Sequence, residues 1–158
     1  MNVSIRAGIL LGVLCAAWTF VMGFTGWYKD PVMLNLFFLV IPLEIGIVIW
    51  ALTKTAPGTA WGGQIVNGLV LSLVASVIIF AGSLLFTTVA FPTYFSDIQA
   101  AQTEMLKTAG ISEADIKTQM AAAAAMQTPF INAISGVIGT VVTGVLVAAI
   151  AGAFLRKK

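Results

Sequence analysis

Two uncharged runs, residues 55–96 and 118–155, constrain this chain more than any other feature. Each exceeds the ~20 mostly apolar residues that an α-helix needs to cross the hydrocarbon core of a bilayer. Between them, and overlapping their ends, lies one long polar stretch, 92–128, which holds four of the six acidic residues: Asp97, Glu104, Glu113 and Asp115. Such alternation predicts apolar helices in lipid with a polar excursion into water.

Composition agrees. Only 9% of residues are charged and 59% are hydrophobic, whereas a soluble domain carries about 25% charge. So little polar material does not cover the surface of a soluble fold, and the hydrophobic effect drives such a chain into lipid. The net charge of +2 comes from scattered bases, which argues against nucleic acid as a partner. At 158 residues, a single membrane domain over 1–158 is expected.

Four segments are apolar and long enough to span: about 5–27, 32–52, 64–91 and 130–155. The predicted fold class is all-α: four transmembrane helices, with an extramembrane helical hairpin over about 93–128 between the third and the fourth. The first apolar run continues to about Trp27, past the roughly 7–15 residues of a signal-peptide core. Leu14 also precedes Cys15 where lipoprotein processing wants a small residue, so a retained helix is expected. Pro31 suits the start of the second span, Pro42 is expected to kink it, and Pro92 is expected to kink the chain without stopping it.

Small residues recur at four-residue spacing. They are Gly8 and Gly12 in the first span, Gly68, Ser72 and Ser76 in the third, and Asn132, Gly136, Thr140, Gly144, Ala148 and Gly152 in the fourth. This spacing lines one helix face, where a neighbouring backbone can come close. Helix packing is the preferred reading, and a pathway lining is the rival.

The excursion carries its own punctuation. Thr93 or Ser96 can cap a first helix, and Gly110 suits the residue that ends it. Ser112 with Asp115 three residues on is a variant capping box, and Ile111 with Ile116 would form a hydrophobic staple. The run Ala121–Ala125 has the highest helix propensity available. Met105, Leu106, Ile116 and Met120 are expected to pack together, with a partner surface as the alternative.

An even number of spans puts both termini on one side. That side collects Arg6, Lys54, Arg156, Lys157 and Lys158, against Lys29, Lys107 and Lys117 on the other. The excess predicts cytoplasmic termini and a periplasmic excursion. The aromatic residues fit two interfaces, Trp27, Tyr28 and Tyr94 at one and Trp50 and Trp61 at the other.

Glu44 is the one ionisable residue deep in a span. A carboxylate there marks, by default, a proton or ion pathway, a ligand or a partner charge. The plainer reading is a carboxyl group satisfied by a neighbouring span. The candidates are Asn67, Ser72 and Ser76 on the third span, and Asn132, Ser135 and Thr140 on the fourth. No basic residue lies deep in a span to pair with it.

Enzyme chemistry finds no support, and no enzyme activity is expected. There is no histidine to activate a serine. An intramembrane aspartyl pair needs two carboxylates, and the spans supply one. Gly136 and Gly139 lack the lysine of a phosphate loop. One cysteine and no histidine leave almost no ligands for zinc or haem, so no metal and no cofactor are expected.

Residues 62–158 carry a resemblance. It rests on Phe86-Thr87-Thr88-Val89-Ala90-Phe91-Pro92, Tyr94-Phe95, Gly110-Ile111-Ser112-Glu113, and Pro129 leading to a Gly/Thr-rich span that ends Arg156-Lys157-Lys158. This order resembles a bacterial family of small four-span integral membrane proteins known only as a domain of unknown function, common in Bacteroidetes and related phyla. The resemblance implies architecture and an inner-membrane location, and it carries over no active residues.

The expected function is therefore a non-enzymatic accessory or scaffold subunit of a membrane assembly. Its partners would be the lipid bilayer and, through the small-residue faces, a second copy or another membrane protein. A small proton- or ion-coupled transporter centred on Glu44 is the alternative, and an envelope or lipid sensor is a third.

Overall fold

A computed structural model describes residues 2–155, so the terminal bases Arg156, Lys157 and Lys158 lie outside the described residues. The described chain is all-helical. Its elements are α1 (Val3–Thr25), a 3-10 turn (Trp27–Lys29), a 3-10 segment (Met33–Leu39), α2 (Val40–Thr55), α3 (Trp61–Leu85), a π-helical turn (Phe86–Ala90), α4 (Tyr94–Thr108), α5 (Glu113–Met126) and α6 (Pro129–Leu155). Four helical stretches are long and apolar enough to cross a membrane: Val3–Thr25, Met33–Thr55, Trp61–Ala90 and Pro129–Leu155.

Round the bundle the neighbours run α1, α3, α6, α2, and back to α1. The most extensive contacts are those of α3, with α6 on one side and α1 on the other. Glycine permits both approaches. A Cβ on Gly8 would stand 2.5 Å from Leu71 O, and one on Gly12 would stand 2.8 Å from Ile78 Cβ. On the other flank, a Cβ on Gly68 would collide with the Ala148 side chain, and one on Gly152 would meet Gln64 Cβ at 3.0 Å. In lipid there is no hydrophobic drive between helices, so this close dispersion contact is what holds them together. The outward faces are apolar, with Phe154 85% exposed, Phe24 78% and Val77 71%, as lipid contact requires.

Three irregularities correct the sequence reading. The second span is not one α-helix kinked at Pro42. It opens as a 3-10 coil, and α2 begins at Val40. Pro42 therefore sits in the first α-helical turn, where its missing N–H is least felt. The Trp18 indole donates 2.9 Å to Leu36 O and ties the coil to α1. The third span ends in a π-helical turn, after which Phe91 leaves helical geometry (φ −134°, ψ 68°), so Pro92 follows a full stop. Thr93 stands at the N-cap of α4 but makes no capping bond to the backbone. Its hydroxyl goes to Asp97 instead, at 3.1 Å.

The far end of α4 closes by known helix-end chemistry. Gly110 adopts φ +77°, Gly110 N donates to Lys107 O, and Ile111 N donates to Leu106 O at 3.1 Å. This is the paired bonding of a Schellman motif. Ser112 then accepts from Asp115 N at 3.2 Å and donates to the Asp115 carboxylate at 2.6 Å. Ile116 is buried, while Ile111 stays 37% exposed. The two excursion helices contact each other, and Gln127 Nε2 reaches Gln102 Oε1 at 3.3 Å across them.

Candidate functional site

Buried apolar side chains form two clusters at opposite ends of the bundle. One gathers Leu11, Ile47, Val48, Leu52, Leu71 and Ala148 toward the end that carries the termini. The other gathers Tyr28, Phe86, Tyr94 and Ile98 at the excursion end. Between them lies a cavity of about 440 Å³, within the roughly 300–1,000 Å³ of ligand pockets. All four spanning segments line it.

Glu44 forms part of the cavity wall from the second turn of α2, midway along the span Met33–Thr55. Its side chain is only 5% exposed, and Oε1 has no hydrogen-bond partner. Ser72 on α3 is fully buried, and its hydroxyl is likewise unpartnered. The two groups converge on α6: the point where a Cβ on Gly144 would sit is blocked by Ser72 Oγ and lies 3.5 Å from Glu44 Oε1. Glycine at this position lets three helices bring two buried polar groups together. A buried polar atom without a partner loses about 1–3 kcal/mol relative to a satisfied one. Such atoms invite an explanation beyond packing.

Other polar groups line the same space. Asn132 Nδ2 donates to Ser83 Oγ at 3.0 Å, joining α6 to α3 and leaving the Asn132 amide oxygen free to accept. Thr140 is buried on the cavity wall, and Ser135 and Thr143 line it with Cys15 and Thr19 of α1. Among the described residues no lysine or arginine lines the cavity. Among the described residues no group of three or more His, Cys, Asp or Glu side chains gathers to hold a metal.

The sequence-predicted residues separate into two sets. Glu44, Asn132, Ser135, Gly136 and Thr140 line the cavity, whereas Ser72 lies outside its wall and meets Glu44 beside Gly144. Asn67 does not join them, because its amide oxygen accepts from Ser4 on α1 at 3.3 Å. Ser76 is buried but bonds neither to Glu44 nor to any other group. Among the glycines, Gly8, Gly12, Gly68 and Gly152 pack helix on helix, as does Gly144, while a Cβ on Gly136 would stand 3.3 Å from Ile79 Cγ2 on the cavity wall. Sequence reasoning missed Cys15, Thr19 and Ser83. Cys15 and Thr19 stand four residues apart on α1, and that spacing was the available signal.

The excursion end of the cavity is roofed by aromatic rings. Phe86 and Tyr94 both line it and meet edge to face, with centroids 5.1 Å apart. Tyr28 lies against Tyr94 at 5.1 Å. Gly23 of α1 makes room, since a Cβ there would stand 2.5 Å from both Phe86 and Phe91. Burial pushes the Tyr94 phenol up to about 12, with the neighbouring Tyr28 adding to the effect. Outside the roof, Asp97 accepts from Tyr28 at 2.8 Å and pairs with Lys29 at 3.1 Å. Burial works against the Asp97 carboxylate, but the hydrogen bonds from Tyr28, Lys29 and Thr93 outweigh it and hold the group below its ordinary range.

Among known families, the model described as "Protein of unknown function (DUF4199)" matches residues 6–157, nearly the whole chain. No curated protein and no solved structure matches it.

Proposed function

The chain belongs to the DUF4199 family of proteins of unknown function, and on that premise we propose that it is a non-enzymatic multi-pass protein of the bacterial inner membrane whose working part is the Glu44 cavity, a binding site in a proton- or cation-coupled carrier. One observation supports this most: Glu44, only 5% exposed and unpartnered at Oε1, lines a cavity on whose wall no basic side chain stands among the described residues. Ionisable groups at such depth mark ion or substrate pathways by default. A cation or a proton is what balances a lone carboxylate where water is scarce.

The small-residue faces bear on the rival. Gly8, Gly12, Gly68, Gly144 and Gly152 are occupied by contacts within the chain. They therefore lend no support to a scaffold that binds foreign helices through these stripes. An accessory role retains one favourable observation. The only substantial packing of α5 among the described residues is against α4, and Met126 at its end is 66% exposed. That surface would suit a periplasmic partner protein.

In this proposal the termini are cytoplasmic and 93–128 is periplasmic, following the bias of basic residues toward the terminal side. The test is flux. Proteoliposomes of the full chain should carry protons or monovalent cations under an imposed potential, and Glu44→Gln should return flux to the level of empty liposomes. Flux that Glu44→Gln leaves unaltered, or no flux above empty liposomes, rejects the carrier.

A further inference from the structure

We propose that the cavity takes an amphiphilic monocation, an organic ammonium or phosphonium with an apolar body, which enters sideways from the bilayer and sets its charge against Glu44. This rests on the reading of the Glu44 cavity as the working site and names what fills it.

Charge sets the sign of the ligand. Among the described residues Glu44 is the only acidic side chain on the cavity wall, and no basic one lines it. An anion would be repelled by the carboxylate, whereas a bound cation supplies the countercharge that lets Glu44 ionise in a poorly hydrated space. A divalent metal is usually held by more than one carboxylate, and among the described residues no three His, Cys, Asp or Glu side chains gather.

Size and lining set the rest. A cavity of about 440 Å³ is far larger than a bare ion and suits an organic molecule. Its walls include Phe37, Phe38, Ile41, Ile79 and Phe86. Aromatic faces attract organic cations, most strongly where water is excluded. The apolar body would rest on these walls while Asn132 and Thr140 supply polar edges.

The opening sets the route. Phe38 and Ile41 of the second span line the cavity, yet are 65% and 41% exposed. Opposite them, Ser135 and Gly139 of α6 also line it and are also exposed. A Cβ on Gly139 would meet nothing within 4 Å. These four residues form a rim between the second span and α6 on the outer wall of the bundle, at the depth of the spans. Molecules dissolved in the bilayer reach such a gap without passing the aromatic roof.

The experiment is equilibrium dialysis of the full-length protein in lipid nanodiscs against radiolabelled tetraphenylphosphonium, with empty nanodiscs subtracted. Tetraphenylborate, of the same shape and opposite charge, is the control. The expected result is saturable phosphonium binding and no saturable borate binding. Glu44→Gln should weaken the phosphonium at least tenfold, and Glu44→Asp should retain most of the binding. Gly139→Leu, which enters open space and should leave the melting temperature unchanged, should plug the rim and weaken binding even if Glu44→Gln proves unstable. Borate binding equal to phosphonium binding, or phosphonium binding indifferent to both Glu44→Gln and Gly139→Leu, overturns the proposal. If no phosphonium binds but cation flux still depends on Glu44, this inference fails and the carrier reading survives. If neither binding nor flux depends on Glu44, both fail.

Discussion

The hydroxyl of Tyr28 donates a 2.8 Å hydrogen bond to Asp97 Oδ2, joining the turn after α1 to the first turn of α4 across 69 residues of sequence. Lys29 and Thr93 converge on the same oxygen, at 3.1 Å each. The backbone breaks at Phe91 just before α4, so these side chains, with the aromatic roof beneath them, set where the helix starts. Tyr28→Phe removes one donor and keeps the ring. It should lower the free energy of local opening at 94–98 by about 1 kcal/mol, a roughly fivefold rise in amide exchange. Asp97→Ala removes the common acceptor and should raise exchange further. Exchange in α3 should not move in either variant.

The same cluster should respond to pH on both flanks. Asp97 is held below its ordinary value of 3.8. Its stabilisation is fully present above the unfolded value and is lost as pH falls through the lower folded one. Lys29 is raised above 10.5, with the hydrogen bond to Asp97 the largest cause. Tyr28 is raised above 10.0, chiefly by burial and then by the hydrogen bond to Asp97. Their contributions are present below the unfolded values and are lost as pH rises through the folded ones. Amide protection at 94–98, corrected for intrinsic exchange, should therefore stay flat through neutral pH. It should fall below about pH 3.8 and again above about pH 10.5. Asp97→Asn should abolish the acid limb.

Gly144 and Gly139 stand on the same helix and should behave oppositely. A methyl group on Gly144 would collide with Ser72 Oγ, so α3 and α6 must separate or Ser72 must turn away. Gly144→Ala should cost about 1–3 kcal/mol, the usual range for overpacking, and lower the melting temperature in detergent. Gly139→Ala meets nothing within 4 Å and should leave it unchanged. Gly144→Ala paired with Ser72→Ala should recover part of the loss, because the colliding hydroxyl is gone.

These contrasts mark how far the sequence could be read. Hydropathy alone reveals four spans, because lipid demands that each backbone satisfy itself within one helix. Gly110 and Ser112 mark the turn between α4 and α5, because their chemistry acts within a few residues. Partner choice is another matter. Asn67 and Asn132 look alike in sequence, each polar on an apolar helix. One faces Ser4 on α1 and the other Ser83 beside the cavity, and the rotation of α3 against its neighbours decides which. The 3-10 coil at Met33–Leu39 was hidden for a similar reason: its residues are as apolar as any helix, and a tether from Trp18 helps fix its place. Glu44 was legible as an anomaly. That it stands on a cavity wall and bonds to none of the candidate hydroxyls was not, since a cavity has no residue of its own to announce it.

The orientation can be tested without any knowledge of the ligand. The single native thiol, Cys15, is buried beside the cavity, so Cys15→Ala provides a quiet background for labelling. Ala60 and Ala109 are both exposed, the first between α2 and α3 and the second at the end of α4. With termini in the cytoplasm, a membrane-impermeant maleimide added to spheroplasts should label Ala109→Cys at once. It should label Ala60→Cys only after the membrane is opened. The physical ground is the retention of Lys54, Arg6 and the C-terminal bases on the cytoplasmic face, against Lys29 alone close to a span on the other side. The reverse pattern would invert the protein and move the excursion into the cytoplasm. Labelling of both positions from outside would be harder to absorb, because it would mean that α3 does not cross. The Glu44 cavity would then no longer lie at the depth that gives a lone carboxylate its significance.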